Sequence, residues 1–352
     1  MRRFQCQCGN HLYFDNTYCL NCHHQLGFLP DRLTVSALRQ DRDGLWTALN
    51  PEAGQRRYRQ CAHYEHSGVC NWMVPAEDPN PHCLACRLNH VIPDLSVPVN
   101  WQRWGKLEAA KRRLIYQLLH IGLPIHGRTP RDPSGLAFAF LADPIEGQSV
   151  STGHTNGLIT INIGEADPVR REAVREKLGE PYRTLLGHFR HESGHYFWER
   201  FFADTGRQPT FRAVFGDERQ DYGQALRQHY NQPNRYWQEQ HISRYASSHP
   251  WEDWAETWAH YLHMRDALET AEGLGLVLED EGKAVSFADR DDFQYLLNAW
   301  VKLTMAMNSM SRSMGSPDMY PFTITPTVAE KLEAVHREVH AVVTGERRPP
   351  GG

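Results

Sequence analysis

Beyond residue 100, apolar residues return at three- and four-residue intervals over long stretches, the spacing that puts one apolar stripe on a helix. The run WQRWGKLEAAKRRLIYQLL, Trp101 to Leu119, is the first of these. The same spacing predicts helices over Pro181 to Phe202, Pro250 to Thr270, Arg290 to Ser311 and Thr327 to Val343. Leu136 to Leu141 and Gly157 to Ile163 are short apolar runs with the length of β-strands. The expected class is α+β. Residues 1 to 30 follow another rule: FQCQCGNHLYFDNTYCLNCHHQLGFLP alternates turn formers with short aromatic pieces and offers too little apolar area for an unaided core.

A chain of 352 residues accommodates a catalytic domain and one or two small modules. Lysine and arginine total 38 against 42 acidic residues, so no broad positive field is present to attract a phosphate backbone. Nucleic acid is therefore not an expected partner. MRRFQCQCG has two arginines with no apolar segment behind them, and no later run approaches the roughly 18 apolar residues of a membrane span. A cytoplasmic location is expected.

All eight cysteines lie before residue 87, at positions 6, 8, 19, 22, 61, 70, 83 and 86. In a secreted chain they would suggest disulfides, but paired short spacings without a signal peptide point to thiolates on metal. Cys6, Cys8, Cys19 and Cys22 form one set, close to a zinc ribbon except that its first pair has a single intervening residue. Cys61, Cys70, Cys83 and Cys86 form the second, in which His63 is an alternative to one thiolate. Both are expected to be closed structural zinc sites. A redox role for Cys83-Leu84-Ala85-Cys86 is weaker, because no βαβ pattern surrounds it. The expected organisation is a zinc ribbon over 1–30, a second cysteine module and linker over 31–97, a catalytic domain over 98–345 and a disordered tail over 346–352.

The central signal is His191-Glu192-Ser193-Gly194-His195. On a helix, positions i and i+4 share a face, so two imidazoles converge on one ion while Glu192, one step around, reaches a water on it. Zinc lowers the pKa of such a water, and Glu192 can take its proton as general base. A third protein ligand leaves one tetrahedral position open. The run HPWEDWAETWAHYLH supplies carboxylates at Glu252 and Glu256, i and i+4 on a helix begun by Pro250. We assign Glu252 to the metal and Glu256 to the second nitrogen of a ligand histidine. The alternative is a solvated helix start, where acids suit the helix dipole. Tyr245 is a candidate oxyanion donor or a packing aromatic, with His249 and His260 as nearby alternatives. The strand at Gly157 to Ile163 is either an edge that pairs with extended substrate or an interior strand.

HExxH followed by a distant E-x-x-A resembles the gluzincin metallopeptidases, and Tyr245-Ala246 through Pro250 to Glu252 is similar to the Mlc titration factor peptidases around their third ligand. That resemblance implies a zincin-like domain, mostly helical with a small sheet, with Glu252 as zinc ligand and Tyr245 stabilising the oxyanion. The chain as a whole resembles a bacterial family of zinc-binding metallopeptidases that carry an N-terminal zinc ribbon. Phe201 stands where a metzincin would have its third histidine, which favours glutamate as third ligand. The expected function is a zinc peptidase with one catalytic and two structural zinc ions, acting on peptide or protein, its ribbons available to a protein partner. The competing reading is a binding or regulatory protein whose HESGH site is vestigial or structural. A third is a zinc hydrolase acting on a non-peptide amide.

Overall fold

The computed structural model describes residues 3–143, 150–178, 184–232, 234–280, 282–285, 287 and 291–347. The chain divides into two compact units, Met1–Arg170 and Arg171–Gly352. Residues 348–352 of the expected tail, and the expected helix starts at Pro181 and Arg290, lie outside the described residues.

The first unit opens with a minimal hairpin of β1 (Phe4–Gln5) and β2 (His11–Leu12). Five strands follow as one antiparallel sheet in chain order: β3 (Gln25–Leu29), β4 (Thr34–Gln40), β5 (Trp46–Ala48), β6 (Arg57–Gln60) and β7 (Met73–Pro75). The ends of this sheet approach each other, since Phe28 donates its N–H to the Asn71 carbonyl at 2.8 Å. The sheet thus curls around an apolar interior of Leu26, Phe28, Val35, Tyr58 and Trp72, all fully buried. Sequence periodicity did not reveal these strands, because three- to seven-residue pieces carry too few alternations to stand out.

A single turn α1 (Ala62–Glu65), strand β8 (Asn89–Val91) and the long helix α2 (Pro98–Ile121) come next. Pro98 starts α2, and Gly122 ends it in the left-handed region at φ 91°. Its buried stripe includes Trp104, Leu107, Leu114 and Tyr116. Tyr116 stands 5.3 Å from Phe14, 5.8 Å from Phe28 and 6.4 Å from Phe4, ring to ring. One aromatic core thereby joins α2 to the first cysteine region and the curled sheet. Two charges are fully buried on the same helix, Glu108 and Lys111, and they pair at 2.9 Å. Asn89 completes them by donating to Glu108 at 2.8 Å and accepting from Lys111.

A second sheet has the order β10–β11–β9–β8, with β9 at Ala137–Leu141, β10 at Gly153–Thr155 and β11 at Leu158–Asn162. Strand β11 pairs parallel with β9 and antiparallel with β10. It is an interior strand. The alternative, in which it offers an edge to extended substrate, is corrected by the presence of partners on both sides.

Helix α3 (Pro168–Leu178) spans the division. The second unit is built from α4 (Leu185–Phe201), α5 (Gln208–Phe215), α6 (Tyr222–Asn231), α7 (Pro250–Gly273), α8 (Phe293–Ser313) and α9 (Pro326–Val343). The two central helices, α4 and α7, are sealed by an aromatic layer. Phe197 stacks on Trp258 at 4.7 Å, and Phe202 meets Trp254 edge-on at 5.1 Å. Phe201, which replaces the metzincin histidine, is buried in this layer against Trp258 at 6.0 Å. Helix α9 is fastened to the first turn of α7 by Lys331, whose ammonium reaches Asp253 and the Gln240 carbonyl at 2.6 Å each. Among the described residues no helix is long and apolar enough to cross a membrane.

Candidate metal centre

Thr184 caps α4 by accepting from the Gly187 N–H at 3.0 Å, and the HESGH run occupies the middle of the helix. Its two central residues face α7. Ser193 accepts from the Trp258 indole at 3.0 Å and donates to the Arg190 carbonyl at 2.6 Å. The Gly194 carbonyl accepts from the Trp254 indole at 2.8 Å. A Cβ on Gly194 would stand 2.8 Å from the Ala255 Cα, so the helices meet there backbone to backbone. Farther along, Arg190 on α4 and Asp266 on α7 are joined at 2.5 Å.

This close crossing brings the α7 carboxylates to the histidines. Glu252 Oε2 lies 3.0 Å from His191 Nε2 and 3.5 Å from His195 Nε2. His191, His195 and Glu252 offer one ligand atom each, all within 4.8 Å of one another, and all three residues are buried. Glu252 Oε2 has no hydrogen-bond partner. A buried carboxylate oxygen without a donor, facing two imidazole nitrogens, suits a divalent cation. The set of two imidazoles and one carboxylate is that of a catalytic zinc site with an open position.

Glu256, one turn on, takes the other side of His191. Its Oε1 is 2.6 Å from His191 Nδ1, and its Oε2 accepts from Ser243 Oγ at 2.6 Å. Burial pushes this carboxyl up, but His191 and Ser243 prevail and hold it at about 2. Its carboxylate can accept the Nδ1 proton, the tautomer in which Nε2 would present its lone pair to a metal ion. Ser243 also accepts from the Ala246 N–H at 3.0 Å, which ties the turn carrying Tyr245 to the same carboxylate.

Tyr245 stands beside His191, with ring centroids 5.8 Å apart. Burial, Glu252 and the Tyr222 phenol all push its pKa up, so it keeps its proton. The two alternative donors are engaged elsewhere. His249 caps α7, accepting from the Trp251 N–H at 3.1 Å, while its Nε2 meets the Gln220 carbonyl at 3.2 Å. His260 is buried against the Tyr320 hydroxyl at 2.8 Å. Glu192 is buried as well, and its Oε2 has no partner. Trp251 packs on His195 at 4.4 Å.

Two groups at this centre escaped sequence reasoning. Tyr222 donates to Glu252 Oε1 at 2.7 Å, and Ser243 holds Glu256. Tyr222 carries no spacing signal, since it precedes Glu252 by thirty residues on another helix. Ser243 lies two positions before Tyr245, where only the fold turns it toward α7.

In the first unit the cysteines gather in the two expected sets, Cys6, Cys8, Cys19 and Cys22, and Cys61, Cys70, Cys83 and Cys86. All eight are free thiols. Sulfur–sulfur distances of 3.5 Å for Cys6 and Cys22, 3.7 Å for Cys8 and Cys19, and 3.8 Å for Cys70 and Cys83 exceed a disulfide bond. They match the separation of about 3.8 Å between thiolates placed tetrahedrally at roughly 2.3 Å from one zinc. His63 is not in the second set; its ring packs on His82 at 4.5 Å and on Trp104 at 5.0 Å.

Comparison with known families agrees with this chemistry. A family described as "Putative zinc-binding metallo-peptidase" matches residues 100–338. The chain belongs to this family. A zinc-ribbon domain matches residues 3–97, ahead of the metallopeptidase segment. The resemblance drawn from the HESGH and cysteine motifs thus holds at the level of the family. Relatives in Mycobacterium bovis and Mycobacterium tuberculosis, each described as an uncharacterized protein, are 39% identical over 345 residues, covering 97% of this chain and 96% of theirs. No solved structure matches the chain.

Proposed function

We propose that this metallopeptidase family member is a zinc-dependent peptidase whose reaction centre is His191, Glu192, His195 and Glu252. The observation that carries this reading is the convergence of His191 Nε2, His195 Nε2 and the undonated Glu252 Oε2, with the buried Glu192 carboxylate, its Oε2 without a partner, one step around the same helix. His191, His195 and Glu252 would hold the zinc, which would supply Lewis acidity toward water or the substrate carbonyl. Glu192 accepts a proton from the attacking water and delivers it to the leaving amine as the carbon–nitrogen bond breaks. Tyr245 keeps its phenol proton and donates it as a hydrogen bond to the negative oxygen that develops on the substrate. Glu256, fixed by Ser243, orients His191. A purely structural site has no use for Glu192, which favours catalysis over a vestigial role.

We further propose that the two cysteine sets each hold one structural zinc, giving three zinc ions per chain. A reducing cytoplasm keeps such thiols free for metal. The ribbons offer a surface for recruiting protein substrates.

The test uses Glu192→Gln, Glu252→Gln and Glu256→Gln with zinc content and cleavage of a mixed peptide library read by mass spectrometry. Glu192→Gln is expected to keep its zinc and lose hydrolysis, whereas Glu252→Gln loses both. Glu256→Gln is expected to lose about 10- to 100-fold in affinity or activity. Equal behaviour of wild type and Glu192→Gln in every assay would turn the reading toward a binding protein.

A further inference from the structure

At the metal centre, the two oxygens of Glu252 have different surroundings. Oε2 faces both histidine nitrogens and accepts no hydrogen bond, while Oε1 accepts the Tyr222 hydroxyl at 2.7 Å. A carboxylate can hold a metal through one oxygen or through both, and the choice sets how many positions remain for water and substrate. Glu252 sits in the first turn of α7 and is buried, so its backbone is fixed, but this does not select one oxygen over the other. The hydroxyl on Oε1 does.

Tyr222 is well built for this task. Asp221 caps α6 by accepting from the Gln224 N–H at 2.6 Å, which makes Tyr222 the first helical residue and anchors its backbone. Its ring packs edge-on against His249 at 5.3 Å and Trp251 at 6.2 Å, and these residues begin α7 on either side of Pro250. The phenol is thus aimed by the helix start that presents Glu252. The residue remains 38% exposed, while its hydroxyl is turned to the buried Glu252 carboxylate.

We propose that Tyr222 is a positioning residue that holds Glu252 to a single metal-facing oxygen and thereby keeps a coordination position open for water or substrate. This rests on the metal site proposed above. Without the hydroxyl, Oε1 is left in a buried setting without its donor and turns toward the cation, so the carboxylate binds through both oxygens and crowds the site.

The experiment uses the full chain with zinc retained in its cysteine sites, the third site emptied with a mild chelator and refilled with Co²⁺. Wild type and Tyr222→Phe are compared by Co²⁺ affinity, by the intensity of the visible d–d band and by circular dichroism of the metal-depleted proteins. Tyr222→Phe is expected to change Co²⁺ affinity by about 10- to 100-fold. Its d–d band is expected to be weaker, as coordination number rises, with the fold retained. Equal affinity and an equal band would overturn the positioning role. A metal-depleted Tyr222→Phe protein that loses its helical circular dichroism signal would overturn it too, by marking Tyr222 as a residue the fold itself requires. A wild type that takes up no third metal ion fails differently, because it overturns the metal site itself.

Discussion

Gly194 of α4 and Ala255 of α7 stand so close that a methyl group on the glycine would come within 2.8 Å of the alanine Cα. The residue lies between Glu192 and His195 in the metal-binding run, and it sets the separation that lets Glu252 reach both imidazoles. In an ordinary helix, replacing glycine by alanine gains about 1 kcal/mol. Here the added methyl meets backbone, which cannot rotate away, and overpacking of this kind costs about 1–3 kcal/mol. Gly194→Ala is therefore expected to lower the thermal midpoint and weaken metal binding together. Circular dichroism melting with a zinc-competition titration checks this; an unchanged or raised midpoint would show that the crossing has room to spare.

The two cysteine sets differ in protection, which predicts an order of reactivity. Cys8 is exposed and Cys22 half-buried, whereas Cys61, Cys70, Cys83 and Cys86 are all buried. Hydrogen bonds from the Asn21 side chain and the Asn10 backbone hold the Cys8 thiol down at about 6, so it is largely thiolate at neutral pH. Under a chelator with an alkylating agent present, Cys8 and Cys22 should be labelled first, and the second set only when the chain opens. Peptide mapping by mass spectrometry over time gives the order. Labelling of Cys83 or Cys86 ahead of Cys8 would contradict it.

Acid sensitivity should come in part from His260. Burial lowers its pKa to about 4, and its ring sits against Phe322 at 4.4 Å and the Tyr320 hydroxyl. An unfolded histidine titrates near 6.5. Between those two values the unfolded chain binds a proton that the folded chain refuses, so stability falls as pH drops through that window and is intact above it. The total is on the order of 3 kcal/mol. His260→Asn is expected to be less stable at pH 7 yet to lose less on going to pH 5. Melting midpoints of both proteins at the two pH values decide this; parallel losses would assign the acid sensitivity to other groups.

The chemistry of this chain is legible because its signals are local. A helix places residues four apart on one face whatever surrounds it, so HESGH announces two converging imidazoles, and short-spaced cysteines announce thiolates that turn toward one ion. The long helices are equally local: the amphipathic stripes at Trp101 to Leu119 and Thr327 to Val343 appear in the structure as α2 and α9. Other features depend on partners far away in sequence. Glu252 and Glu256 are two acids one turn apart on α7, and only the crossing of α4 and α7 sends one to Nε2 and the other to Nδ1 of His191. Whether β11 is edge or interior depended on β10 and β9, and the curled sheet closes through Phe28 and Asn71, more than forty residues apart in the chain. Tyr222 reaches Glu252 from another helix, with no periodicity to connect them. Spacing along a helix is a property of the chain, but which oxygen meets which donor is set by the angle and distance between packed helices, and those come from the whole core at once.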